Sequence, residues 1–310
     1  MQFHKWFLEN ELTNIILYHG TASDFASFDI SFSGERDYGD SGLGVYLTPK
    51  IILAKMYAWD ASRRQNKPAI ILSVKHNFQK TANLDSPELQ KQIQKAARDF
   101  AKGEFDNEFT LELEEKREFP EKIWKKAADL GFIGIQYDEA YEGGGLGVLE
   151  GCLIAEEFCR KDSTMGMALS LTGLGSEALF RFGDNSLKEK FLPKIVQGEM
   201  LSGIAFAEDN FGLDLSSIET VATTEGDKLI INGEKTNVLN GGAAGFYIVL
   251  CKSDPDGNQS ENQADDLTLV LVEANRDGIS INDLGEKLGI NMVKTAGISF
   301  TDVQVPTSNI

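Results

Sequence analysis

The spacing of apolar residues changes character twice along the chain. From residue 87, Leu89, Ile93, Ala96, Ala97 and Phe100 recur at three- and four-residue intervals, as do Ile123, Trp124, Ala127, Ala128 and Leu130 after Phe119-Pro120. That period predicts helices with one apolar face each. The pattern continues over 149–159, 165–182 and 187–196, the last introduced by Ser186-Leu187-Lys188-Glu189, which has the form of a capping box. Five helices with short connections predict a bundle over 87–198.

After Gly198 the period becomes two. Residues 219–224, 228–231, 246–252, 267–273 and 298–305 read as strands, and Asn232-Gly233 is the dipeptide favoured in two-residue hairpins. An antiparallel β-barrel or sandwich is expected over 199–310. The polar stretch 253–266 has too little apolar content to pack and reads as a surface loop. Before residue 87, short apolar runs at 15–18, 45–48 and 69–74 predict strands, and 49–64 a helix, giving a small mixed α/β segment over 1–86. Ser86-Pro87 marks the boundary, because Ser suits the N-cap and Pro the first helical position. The fold class expected is a multidomain α+β chain.

Length agrees with this division: single cores stop growing near roughly 250–300 residues, and the chain has 310. No apolar run approaches the roughly 18 residues that span a bilayer, and no secretion signal opens the chain, so a cytoplasmic protein is expected. Cys152, Cys159 and Cys251 form no CxxC pair, which suits a reducing compartment and buried thiols. His4 and His76 lack metal-ligand spacing, and no metal is expected. The formal charge of −18 is uneven, because residues 1–86 carry nine basic and nine acidic side chains while the remainder carries 21 basic and 39 acidic. So acidic a surface repels phosphate backbones, which argues against nucleic acid and anionic membranes as partners of the larger part.

Several local strings, in order, resemble the acyl-CoA dehydrogenase family. Residues 119–132, beginning Phe119-Pro120-Glu121-Lys122-Ile123-Trp124, resemble its second helix, and Tyr141-Glu142-Gly143-Gly144-Gly145-Leu146-Gly147 the glycine loop before its third. Phe191-Leu192-Pro193-Lys194 through Gly198-Glu199 resembles the exit to its β domain; Gly289-Ile290, Phe300, Val303, Val305-Pro306 and Asn309 resemble that domain's end. The glycine loop lacks the spacing of a dinucleotide fingerprint and follows no predicted strand, so it is not read as a phosphate cradle.

The resemblance implies an FAD-dependent oxidoreductase acting on acyl-CoA, whose anionic CoA portion would need a local basic pocket. In the family the flavin lies against the β domain between two strings, Tyr-x-x-Thr-Glu-Pro followed by Gly-Ser-Asp, and an aromatic followed by Ile and Thr or Ser. The positions that match here are Ile204, Phe206, Ala207 and Leu213, then Asn237 and Leu239. Ala207, Leu213 and Leu239 carry no donor, and Asn237 cannot stack as an aromatic would. At roughly 1–2 kcal/mol for each of three lost contacts, the expected loss is about two to four orders of magnitude in FAD affinity. The family's catalytic glutamate belongs to a C-terminal helical domain beyond the point where this sequence ends. The expectation is therefore a weak or inactive dehydrogenase, with self-association through apolar surface which that domain would cover. Glu208 matches a position that the family uses structurally and is not read as the base.

Residues 1–86 are similar to diphtheria-toxin-like ADP-ribosyltransferases. Leu17-Tyr18-His19-Gly20-Thr21 leaves a strand, Gly42-Leu43-Gly44-Val45-Tyr46 follows, and Tyr57 lies eleven positions after Tyr46. The resemblance implies NAD held by His19, with Thr21 beside it, and by Tyr46 and Tyr57 clamping the nicotinamide. The third family element, an acid on a later strand, has no match, since Glu88 falls in the first turn of a helix, where the helix dipole already accounts for it. A fusion without chemistry, kept as a binding module, is the remaining alternative.

Overall fold

The computed structural model describes residues 15–21, 70–76, 87–210, 215–253 and 267–310. In the N-terminal segment two strands, β1 (Ile15–Thr21) and β2 (Ile70–His76), pair antiparallel, with His19 opposite Leu72. The expected strand at 45–48 and helix at 49–64 lie outside the described residues.

The next region is helical, as its period predicts. Pro87 opens α1 (Pro87–Glu104), and Ile93, Ala97 and Phe100 on its inner face are fully enclosed. Phe100 meets Phe105, Phe132 and Phe158 at ring-centroid distances of 6.0, 5.2 and 5.5 Å, which builds an aromatic centre. There follow α2 (Asn107–Lys116), α3 (Glu121–Asp129), α4 (Val148–Lys161), α5 (Ser163–Ser170), α6 (Ser176–Phe182) and α7 (Asn185–Val196).

Seven α-helices in this region replace the five expected. The sequence pattern passes over α2 because Leu111 points to solvent, leaving Thr110 and Leu113 as its buried positions. Its start is instead fixed by Asp106, which accepts a hydrogen bond from Phe109 N at 2.9 Å. The stretch 165–182 divides at Gly175, where φ is +89° and a β-carbon would lie 2.9 Å from Gly203 O. Only glycine turns there while lying so close to another main chain. The expected capping box at Ser186 is also corrected, because the N-cap is Asp184, whose carboxylate accepts from Ser186 N at 2.7 Å.

The described residues of the third region form one seven-stranded sheet. Its strands are β3 (Ser202–Ala205), β4 (Val221–Glu225), β5 (Lys228–Leu239), β6 (Phe246–Ser253), β7 (Leu267–Glu273), β8 (Ile279–Asp283) and β9 (Thr295–Pro306). The path runs β3-β6-β4-β5-β9-β8, with β7 also on β6. The antiparallel expectation is corrected, since β3 and β4 each run parallel to β6. The turn assigned to Asn232-Gly233 is corrected too. That dipeptide sits inside β5 at a register shift against β9, while the β4–β5 hairpin closes through Gly226-Asp227, with Gly226 at φ +65°. The shift is a β-bulge whose extra residue lies on β9, where Asp302 takes φ +52° and donates its main-chain N–H to Asn232 Oδ1 at 2.8 Å.

The two domains share apolar surface. Met292 and Val293, from the β8–β9 connection, are fully enclosed in the helical cluster around Phe100. On another side Phe246 and Ile248 of β6 pack with Leu192 and Ile195 of α7. Of the cysteines, Cys251 is buried and its thiol is pushed up to about 12 by burial. Cys152 is exposed on α4, so the expectation of buried thiols fails there. No helix among the described residues is long and apolar enough to cross a membrane.

Candidate functional site

Of the positions that the sequence assigns to flavin, the described ones lie on β3, on the segment that follows it and on β5. Ile204 lies on β3, and Phe206 and Ala207 continue from it. Ala207 O accepts a hydrogen bond from Thr236 N at 2.7 Å, so the two strings that stand about thirty residues apart in sequence meet here. Asn237 occupies an irregularity in β5 between Lys235 and Val238, at φ +52° with its side chain exposed. Asn is among the residues that tolerate this left-handed region. Leu239 closes the strand and packs against the helical cluster. Leu213, Tyr46 and Tyr57 lie outside the described residues; His19 is placed by its backbone on β1.

Beneath these positions lies a buried ion pair that the sequence reading passed over. Lys235, fully enclosed, donates to Glu208 Oε1 at 2.6 Å and to Phe206 O at 3.3 Å. Glu208 also accepts from Glu219 N at 2.7 Å and Thr220 N at 3.1 Å. Burial alone would push the Glu208 carboxyl up; the hydrogen bonds from Lys235, Thr220 and Glu219 outweigh it and hold the group below the usual carboxylate range. Burial draws Lys235 below the ordinary lysine range, against the opposing pull of Glu208. An unpaired ammonium there would be costly, so the pair is ionised and fixes the backbone of 206–208 against β5. The signal available in sequence was a lysine at an inward position of an alternating strand.

Asn240 ties the same corner together. At φ +59° its main chain donates to Lys294 O, and its side-chain amide donates to Leu171 O and Ser202 O, each at 2.8 Å. Two buried hydroxyls nearby, Ser202 Oγ and Thr295 Oγ1, have no partner.

The glycine loop serves packing. The amides of Gly143, Gly144, Gly145 and Leu146 all donate to carbonyls of residues 134–138, and a β-carbon on Gly143 would lie 2.1 Å from Tyr137 O. Those amides are committed, which agrees with reading no phosphate site there. Among the described residues no group of three His, Cys, Asp or Glu could hold a metal ion.

A helical region leading into a mixed sheet is the architecture that the comparisons with known proteins can be set against. Residues 87–199 match the acyl-CoA dehydrogenase N-terminal domain and residues 203–303 the acyl-CoA dehydrogenase middle domain, so these two regions belong to the acyl-CoA dehydrogenase family. The chain is 31% identical over 222 residues to an acyl-CoA dehydrogenase of Bacillus subtilis (strain 168), covering 71% of this chain and 57% of that protein. It is 28% identical over 242 residues to the acryloyl-CoA reductase (NADH) of Anaerotignum propionicum, covering 77% and 60%. Among solved structures it resembles the acyl-CoA dehydrogenase from Geobacillus kaustophilus, with a TM-score of 0.65 at 30% identity, covering 74% of this chain and 59% of that one. Butyryl-CoA dehydrogenase from Megasphaera elsdenii gives a TM-score of 0.63, also at 30% identity, covering 74% and 59%. The chain thus spans 57–60% of the length of these relatives.

Proposed function

We propose that residues 87–310 form the flavin-binding core of an oxidoreductase acting on an acyl-CoA thioester. The observation that carries this is the bond from Thr236 N to Ala207 O, which brings both flavin strings to one surface. The residues present fit a flavin there: the Lys235–Glu208 pair fixes the backbone, and Thr295 keeps a buried hydroxyl with no partner. When bound, FAD would supply the hydride acceptor for oxidation of the acyl chain. The chain's own part is to bind and orient, through Ile204 and Leu239 as apolar surface and the 206–208 backbone as a polar rim.

Affinity for FAD is low in this reading, because the side chains at 207 and 239 carry no donor and Asn237 offers no ring to stack. Glu208 does not move a proton, since three hydrogen bonds, one of them its ion pair with Lys235, already occupy its carboxylate. The reading is tested by an absorption spectrum of the purified chain with and without added FAD, followed by dye reduction with an acyl-CoA. A flavin band that appears on titration supports it, and failure to bind FAD at any concentration overturns it.

For residues 1–86, NAD-dependent ADP-ribosyl transfer by His19, Tyr46 and Tyr57 is a second and separate proposal. In the structure His19 lies within the paired strand β1, opposite Leu72, and the pairing continues to Thr21, so the strand extends past the histidine that the sequence places after it. The proposal fails if NAD is neither bound nor consumed, or if His19→Ala and Tyr57→Ala leave NAD turnover unchanged.

A further inference from the structure

The sheet register places Thr295 directly opposite Leu239, at the last pair joining β5 and β9. Residues opposite one another in an antiparallel pair project on the same face, with β-carbons about 4.5–5.5 Å apart. The preceding pair, Val238 and Ala296, points the other way, Val238 into the interior of the β domain. Leu239 turns toward the helical domain and packs on its core, so Thr295 faces that side as well. Thr295 is 8% exposed, and its hydroxyl has no hydrogen-bond partner. A buried hydroxyl left unpaired costs stability, and chains seldom keep one without a use.

We propose that the Thr295 hydroxyl is a flavin-binding group, replacing from the neighbouring strand the donor that position 239 lacks. The proposal rests on the reading of residues 87–310 as a flavin site. Flavin carries hydrogen-bonding atoms along its pyrimidine ring, ribityl chain and pyrophosphate, so a hydroxyl one strand away still finds a partner. A threonine also both donates and accepts, which lets it serve either kind of atom. Ser202, the other unpaired hydroxyl near this corner, is less suited. Its amide donates to Thr172 O at 3.0 Å and its backbone bridges to Gly173, so the α5–α6 connection covers it.

The test uses the full chain, stripped of flavin, with FAD added and binding followed by quenching of flavin fluorescence. Thr295→Val keeps the shape and removes the hydroxyl, and it is expected to weaken FAD binding roughly five- to tenfold, the worth of one hydrogen bond. Thr295→Ser should bind within about twofold of the unmodified chain, and Leu239→Thr added to Thr295→Val should recover most of the loss. The melting temperature of the flavin-free Thr295→Val protein should hold or rise, because an unpaired polar group has been removed. Unchanged FAD affinity in Thr295→Val overturns the proposal, as does a flavin-free melting temperature that falls in step with affinity, which would mark a structural role. If the unmodified chain binds no FAD, the site reading itself has failed, and this proposal falls with it.

Discussion

Lys235 Nζ lies 2.6 Å from Glu208 Oε1 with both side chains enclosed, and the pair joins the exit of β3 to the middle of β5. In a flavin-binding reading this is the strut behind the surface that meets the ring. Removing one partner leaves the other charge buried alone. Glu208→Gln is expected to destabilise the chain by about 3–5 kcal/mol, measured by urea unfolding, while Lys235→Met combined with Glu208→Leu recovers most of that loss. A cost below about 1 kcal/mol for the single variant would show that the pair is not held as described.

Acid should weaken the fold through the same groups. The carboxyls of Glu208 and Glu157 are held below their usual range, Glu208 despite burial and Glu157 chiefly by its hydrogen bond from Arg98. A depressed carboxyl contributes stability that is present above its unfolded value, near roughly pH 4.3, and is lost as pH falls through its folded value. Melting temperature should therefore be flat from neutral pH to about 5 and fall below it, and the Glu208→Gln protein should show a shallower acid slope. Equal slopes for both proteins would contradict the assignment.

Glu114 of α2 reaches across to the β8–β9 connection. Its carboxylate accepts from Asn291 N at 2.8 Å, Asn291 Nδ2 at 3.2 Å and Met292 N at 3.1 Å. Glu114→Ala leaves those amides without their acceptor, at a cost of about 1–3 kcal/mol. Amide exchange over residues 290–293 should accelerate by more than the global loss of stability explains, because these contacts dock Met292 and Val293 into the helical core. Exchange that rises equally everywhere would mean no local clasp.

Two glycines should separate two reasons for being glycine. A β-carbon at Gly143 meets the Tyr137 carbonyl at 2.1 Å, whereas one at Gly226 meets nothing within 4 Å, although φ there is +65°. Gly143→Ala is expected to cost about 3 kcal/mol or more through forced backbone movement. Gly226→Ala should cost about 1–2 kcal/mol, the left-handed penalty alone. Chemical denaturation of both variants checks the order, and a reversed order would refute it.

The helices around Leu89 to Phe100 and Ile123 to Leu130 were legible because each buries one face whose period survives in the sequence, and the strands at 246–252 and 267–273 because they are short, nearly continuous apolar runs buried on both faces in part. The assignment of Ile204, Phe206, Ala207, Asn237 and Leu239 to flavin positions rests on residue order alone, and the structure adds the Thr236 N to Ala207 O bond that joins the two strings. The short strand β3 was not legible, since four residues beginning Ser202-Gly203 carry little alternation and are extended through parallel pairing with β6. Asn232-Gly233 misled because it lies opposite a bulge on β9, with Asn232 Oδ1 accepting from Asp302 N, and only the pairing with β9 reveals that.

Local spacing by itself determined where the helical and β regions lie, and the order of local strings carried the resemblance to the family that residues 87–199 and 203–303 match. Tertiary structure alone decided which polar groups face one another across the sheet. The register that sets Thr295 opposite Leu239, and the burial that joins Lys235 to Glu208, involve partners 27 to 56 residues apart. Such pairs are fixed by packing of whole strands and helices, which the order of residues along one strand does not encode.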